Sequence, residues 1–410
     1  MKVLHLNYSD IAGGAARAAY RIHHALRASG VDSQMCVNEA LAGDWTVEGP
    51  VSTCARLTAR LRPQLAKPLR ATLRSKNSII HSPAFLPSSW AKRLNSSDAD
   101  VIHLHWVAGE MLSIADIGRI EKPIVWTLHD MWAFCGAEHY TDDARWRDGY
   151  RRDNRPAHES GFDLNRWTWR RKRKHWGRPM HIVGDSNWIA RCASESLLMR
   201  DWPCQFIYYP LDLEIWTPIK KRDARTLLGL PLETPLLAFG AMGGRRDPRK
   251  GFDLLLKALG SLRGRINDLE LVVFGQLAPQ QPLDLGFPTH YAGHLYDDLS
   301  LRAVYSAADM LVVPSRNEAF GQTASEAHAC GTPVVAFDIG GLPDTVDHLL
   351  TGYLAKPFDV YDLAAGIQWV LDSPLKDDLG KLARAKAEKY FDPAMVAKQY
   401  IDVYEKALLK

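Results

Sequence analysis

Two glutamates, Glu318 and Glu326, stand eight positions apart in the stretch NEAFGQTASEAHACGTPVVA, Asn317 to Ala336. Between them lie one glycine and small residues, with no lysine or arginine. An ionised carboxylate only accepts hydrogen bonds and can take two adjacent hydroxyls, which is how proteins grip the diols of a ribose or a hexose. Upstream, GAMGGRRDPRKGFDLLLKA gathers Arg245, Arg246, Arg249 and Lys250 behind three glycines. Glycine lets a backbone approach a ligand closely, and clustered cations suit a diphosphate. Each element alone has an ordinary explanation, a solvated basic turn or acids facing a helix dipole. The pair together describes a pocket for a sugar joined to a nucleotide through a diphosphate.

These residues need a frame that brings loops together, and the chain alternates strand and helix signals throughout. KVLHLNY, DVIHLHW and PIVWTLHD have the length and branching of buried parallel strands, as do PLLAFGA, LELVVFGQ, DMLVVPS and TPVVAFDIGG. The alanine-rich AGGAARAAYRIHHALRASG reads as a helix closed by Gly30. This rhythm predicts an α/β protein of two doubly wound, Rossmann-like domains, over residues 1–208 and 219–391. Residues 392–410 form a last helix that packs back toward the first domain. Ligands of such sheets lie beyond the carboxyl ends of strands, so facing domains would line a cleft with YSDIAGGAA, LHDMWAF, FGAMGGRRDPRK, FGQ and SRNEAFGQT. A helix should start near Gln322 and stop at Gly331, offering its amide donors to an anion. G-x-x-x-x-G-K-[ST] and G-x-G-x-x-G are both missing, which argues against a P-loop enzyme and a dinucleotide oxidoreductase.

At 410 residues, with 46% hydrophobic and 24% charged, the composition is that of a globular protein of two domains. No leader with a small-residue cleavage site and no run of ~18 apolar residues is found, so the expected location is cytoplasmic. The six cysteines form no C-x-x-C pair and read as reduced packing residues. The net charge of +4 hides an asymmetry: residues 1–200 carry 29 Lys and Arg against 20 Asp and Glu. Two basic segments stand out, residues 56–76, with Leu57, Leu61, Leu65, Leu69 and Leu73 at every fourth position, and the Trp-rich residues 166–178. Both suit an anionic membrane surface. A nucleic-acid-binding protein using the Trp/Arg cluster is the alternative of another class, but no nucleic-acid-reading motif is recognisable.

The run NEAFGQTASEAHACGTPVVAFDIGGLPDTV resembles the E-x7-E signature of retaining glycosyltransferases of family 4, which have the GT-B fold, and is closest in pattern to the colanic-acid and exopolysaccharide branch. The resemblance continues through FGAMGGRRDPRKGFDLLLKAL, AVYSAADMLVVPS, TLHDMWAF and GGAARAAYRIHHALRASG, and so spans nearly the whole chain. It implies transfer of a hexose from a UDP- or GDP-sugar to a lipid-linked glycan in surface polysaccharide synthesis. It further implies that Glu326 binds the ribose, while Glu318, Ala319, Phe320, Gly321, Gln322 and Thr323 hold the donor sugar. Arg245 and Lys250 would bind the diphosphate, with Arg246 as a substitute for Arg245, and Gln276 would lie near the base. Gly13, Gly14, His129 and Asp130 would face the acceptor or phosphate, the ring or backbone carbonyl of His129 lying near the donor sugar. His129, Glu318, Arg245 and Lys250 would be the catalytic set.

The sequence departs from the pattern at the connector, where YPLDL replaces N-G-[IV]-D, and after HDMW, where no cysteine follows Cys135. No metal and no cofactor are expected. DAD at Asp98–Asp100 imitates a metal-binding D-x-D but only precedes a buried strand. With Glu318 committed to hydroxyls, no carboxylate is left as a nucleophile, which favours same-face transfer with the leaving diphosphate as base. A sugar-nucleotide epimerase of the same fold is the nearest enzymatic alternative.

Overall fold

The computed structural model describes residues 1–240, 247–266, 268–280, 284–295 and 297–409, the side chains of 376 and 377 excepted. The chain folds as two units, Met1–Pro210 with Ala394–Lys410, and Leu211–Pro393.

The first unit is built on strands β1 (Lys2–Ser9), β2 (Asp32–Glu39), β3 (Val47–Glu48), β4 (Leu73–Arg74), β5 (Val101–Leu104), β6 (Ile124–Leu128), β7 (Ser160–Gly161), β8 (His181–Gly184) and β9 (Cys204–Phe206). Seven of them form one parallel sheet in the order β3-β2-β1-β5-β6-β8-β9. Helices cover both faces of such a sheet, so the central strands read as unbroken buried runs, and β5 and β6 are buried at every position. Strand order reverses between β1 and β5, which marks the switch point where open sheets bind ligands. β4 and β7 pair antiparallel in a separate two-stranded sheet, which the alternating pattern does not announce.

The second unit carries β10 (Leu236–Gly240), β11 (Glu270–Phe274), β12 (Thr289–Gly293), β13 (Met310–Val313), β14 (Val334–Phe337) and β15 (Gly352–Ala355). They form a parallel sheet in the order β12-β11-β10-β13-β14-β15, a doubly wound Rossmann arrangement with its switch point between β10 and β13. Its core joins Leu237, Phe239, Leu271 and Val312 of the strands to Leu255 and Leu259 of helix Phe252–Leu262 and Ile367 of helix Val360–Asp372. Both sheets are those predicted. The last helix, Pro393–Leu408, lays Tyr400 and Tyr404 against Thr127 and His103 of the first unit.

The Trp-rich segment 166–178 is not the surface patch expected of it. Trp169, Lys172 and Trp176 are buried, and Trp167 stacks under Arg171. Lys172 donates from Nζ to the carbonyls of Trp132, Cys135 (3.1 Å) and Gly136 (2.8 Å) and lies 4.0 Å from the ring centre of Trp132. The helix packs inward because its ammonium and indoles find partners there, with Arg170, Arg173, Lys174 and Arg178 as its exposed cations.

Candidate functional site

In the second unit the two charged motifs meet. Lys250 ends a short 3-10 turn, Pro248–Lys250, that precedes helix Phe252–Leu262, and Glu318 lies in the loop that follows β13. Lys250 Nζ donates to Glu318 Oε2 at 3.0 Å, and the Ser315 hydroxyl donates to the same oxygen at 3.1 Å. The loops are held at this separation by Arg316, whose guanidinium grips Asp253 through two bonds of 2.7 and 2.6 Å and the Pro248 carbonyl at 2.9 Å. Gly251 turns the chain with φ 64°, and a Cβ there would come 1.8 Å from the Pro314 carbonyl oxygen. On the other flank Gly340, φ 55°, lets the Glu318 carbonyl approach so closely that a Cβ would lie 2.1 Å from it, while the Gly341 amide donates to that carbonyl at 2.9 Å. The glycine pair of DIGG is thus a seat for the Glu318 loop.

Helix Gln322–Ala329 starts from Gly321, φ 96°, so the residues after Glu318 feed directly into its positive end. Ala319 and Phe320 are buried, so their side chains serve the core and only their backbone could face a ligand. Gln322 and Thr323 are half-buried. Glu326, on the helix's second turn, is only 4% exposed, and Tyr305 donates to its Oε2 at 3.1 Å. The structure therefore encloses and orients this carboxylate instead of leaving it open. Gln276 is half-buried beyond the end of β11 and bridges to Gly293. Arg245 and Arg246 lie outside the described residues.

In the first unit the loop after β1 is anchored by Asp10, which accepts from the amides of Ile11, Leu41 and Ala42 at 2.8 Å each. Gly13, φ 98°, caps helix Gly14–Ala28, and a Cβ built there would meet nothing within 4 Å. Asp130 accepts from His139 Nδ1 at 2.6 Å, the Trp106 indole at 3.0 Å and the Trp132 amide at 2.8 Å. Burial raises its pKa, but the His139 ring and these donors outweigh that and hold it below the usual carboxylate range. Its carboxylate is spent on folding the Met131–Tyr140 loop.

His129 is also tied off, by a chain of imidazoles that crosses the sheet. Tyr209 donates to Asp185 Oδ2 at 2.7 Å, so its oxygen accepts from His129 Nδ1. Nε2 of His129 then accepts from His105 Nδ1 at 3.0 Å, and His105 Nε2 from His5 Nδ1 at 2.9 Å. Each ring is thereby fixed as the neutral Nδ1–H tautomer, with the direction set by Asp185. Burial pulls His129 down to about 4. With both ring nitrogens engaged, the backbone of His129 is the part left to meet a ligand. His5, His103 and His105 present nitrogens within 4.8 Å of one another, a spacing a metal could use. Both nitrogens of His103, bonded to Tyr404 and Thr127, and both of His105 are already occupied, which does not fit a ligand set. Asp98 and Asp100 both bind Lys2, whose ammonium and amide lie 2.7 Å from them, at the foot of the sheet.

Sequence reasoning missed Ser315 and Tyr305, which orient the two glutamates, and the Asp185–Tyr209 pair behind His129. Ser315 stands three positions before Glu318 and was within reach of a local reading. Tyr305 and Asp185 act across folded distances that no spacing encodes.

Both units of the chain are similar to known proteins. Residues 12–214 match the family described as Glycosyltransferase Family 4, and residues 238–388 match Glycosyl transferases group 1. A D-inositol 3-phosphate glycosyltransferase of Saccharomonospora viridis is 35% identical over 219 residues, 48% of this chain and 49% of that protein. The chain spans about half the length of the first curated relatives it matches. A relative of the same name from Arthrobacter is 26% identical over 93% of this chain and 87% of its own length. Among solved structures, sucrose-phosphate synthase from Thermosynechococcus elongatus superposes with a TM-score of 0.66 at 20% identity, over 99% of both chains. Anabaena HepE in complex with UDP and glucose also gives 0.66, at 18% identity, over 99% of this chain and 100% of its own. With both family segments in order along one chain and both sheets doubly wound, the chain belongs to the family 4 glycosyltransferases of GT-B fold.

Proposed function

We propose that the chain transfers a hexose from a nucleoside diphosphate sugar to a hydroxyl acceptor with retention of anomeric configuration and without a metal ion. The observation that carries this reading is the Lys250–Glu318 pair, held beside the start of helix Gln322–Ala329. A diphosphate would draw Lys250 from Glu318 and free that carboxylate for the sugar hydroxyls. Arg245 would join Lys250 on the phosphates, with Arg246 able to replace it, and the amides of Phe320, Gly321 and Gln322 would take the sugar side. Glu326, aligned by Tyr305, would bind the ribose, and the carbonyl of His129 would face the sugar. Gly13 and Gly14 would leave room for the acceptor or phosphate. In the step itself the bond from the anomeric carbon to the phosphate oxygen breaks and the acceptor oxygen bonds to that carbon on the same face. The acceptor proton passes to the departing diphosphate, and Lys250 stabilises the charge left there. HepE, of the same fold, is described with UDP and glucose, which supports a uridine donor; the residues themselves do not choose between UDP and GDP.

For the acceptor we favour a lipid-linked glycan in bacterial polysaccharide synthesis, on the exopolysaccharide-type motif. The relatives named for D-inositol 3-phosphate define the competing arm. The test is thermal unfolding with UDP, GDP and their glucose and mannose derivatives, followed by turnover with polyprenyl-pyrophosphate glycans and with inositol phosphate. Stabilisation by one nucleotide sugar and product with one acceptor are expected. A chain that no nucleotide sugar stabilises, or that converts the donor to an epimer without any acceptor, would overturn the reading.

A further inference from the structure

Helix Thr53–Leu65 lies on the surface of the first unit in an orientation opposite to that of an ordinary amphipathic helix. Ala59 is its one buried residue, while Leu57, Leu61 and Leu65 are 56, 49 and 61% exposed. At 3.6 residues per turn Ala59 projects about 160° from the mean direction of the three leucines, so the apolar stripe points away from the domain. Arg62 fastens the other side, donating to the carbonyls of Leu86 (2.6 Å), Pro87 (2.9 Å) and Glu110 (2.7 Å). Val51, two residues before the helix, is also exposed; Arg60 projects about 100° from the mean leucine direction and edges the stripe, whereas Arg56, about 140° from it, lies toward the back of the helix. The chain from residue 49 to residue 97 holds nine lysines and arginines and no acidic residue. Just beyond Leu65, Lys67, Arg70, Asn77 and His81 line a hollow of about 370 Å³.

We propose that this face docks on an anionic lipid bilayer, with the leucine stripe in the interface, Arg60 against a lipid phosphate, and the Lys67–Arg70 hollow taking a headgroup. The charge chooses the occupant. An exposed leucine stripe alone would accept a second copy of the chain, but a segment that carries nine cations and no acid of its own, with Arg93 drawn to the neighbouring Glu48, is better matched by anionic lipid than by its own copy. The proposal is separate from the sugar-transfer reading and needs neither donor nor acceptor.

The experiment is co-sedimentation of the full chain with phosphatidylcholine vesicles, with and without an equimolar share of phosphatidylglycerol. Binding is expected only with the anionic lipid and should weaken with salt. Replacing Arg60 and Lys67 together by alanine should lower partitioning about 25-fold, near fivefold for each charge. Leu57→Ser, Leu61→Ser and Leu65→Ser combined should lower it at least ~10-fold. These side chains are exposed, so the melting temperature serves as the folding control. Equal sedimentation with neutral and anionic vesicles, no sedimentation at all, or a leucine variant that binds as well as the parent would each overturn the proposal. So would a dimer in solution that the leucine changes dissociate while vesicles go unbound.

Discussion

The buried imidazoles of the first unit should make it acid-labile well before its carboxylates titrate. His5, His23, His103 and His105 are 2% exposed or less. Burial, with neighbouring imidazoles adding to it, pulls His23 to about 3 and holds the other three well below the ordinary value of 6.5. A base whose folded pKa is depressed stays neutral in the fold while the unfolded chain takes up its proton. Stability is therefore complete above 6.5 and is lost as pH falls from 6.5 toward the folded values. At pH ~5.5 each such group favours the unfolded chain by ~1.4 kcal/mol, so the four together amount to ~5–6 kcal/mol. That matches the whole stability of a marginal domain, ~5–15 kcal/mol. Glu138, which burial pushes up to about 7, and Glu110, which burial also raises, work the other way because the folded chain takes their protons first, but they are two groups against four. Carboxylates such as Asp44, brought to about 2 by the Thr46, Tyr20 and His24 contacts that outweigh its burial, matter only at lower pH. Tryptophan fluorescence isolates the effect, since eleven of the thirteen tryptophans precede Pro210. Its thermal midpoint should collapse between pH ~7.5 and ~5.5. A midpoint that stays constant over this range would refute the account of the histidine chain as neutral and buried.

Neighbouring positions in the second unit should give opposite readouts. Gly251→Ala places a Cβ 1.8 Å from the Pro314 oxygen at φ 64°, and should cost ~3 kcal/mol or more, seen in urea unfolding; an unchanged midpoint would contradict the packing described. Lys250→Ala removes a half-exposed ion pair and should change stability by less than ~1 kcal/mol. It should nonetheless lower kcat about a hundredfold and donor affinity much less, and an equal loss in both would count against electrostatic stabilisation of the leaving group.

Much of the frame was legible because parallel strands are buried on both sides and announce themselves as short branched runs, as in VIHL and MLVV. The E-x7-E stretch was legible for the same local reason, a loop and a helix start written contiguously. The inward half of segment 166–178 was not recognised although its signal was present. Asn165, Thr168, Trp169, Lys172 and Trp176 recur at helical spacing and form one inward face, but a lysine in the middle of that face looked like a surface residue. Only the fold shows the three carbonyls that receive it. The Lys250–Glu318 contact spans 68 residues and the His5–His105 contact 100, and both depend on sheet register, which pairs His5 with His103. Such meetings are set by strand order, and no spacing in the chain foretells them.

The position of Tyr400 and Tyr404 carries a consequence for biosynthesis. His103 and Thr127 emerge early from a ribosome, yet their phenolic partners follow after a further 270 residues or more, once all of Leu211–Pro393 has been made. During translation the second unit can finish while the older sheet still shows an unsealed polar seam. Nascent chains arrested before residue 400 should thus be the forms most in need of a chaperone, and protease resistance of the amino-terminal half should arrive late and abruptly.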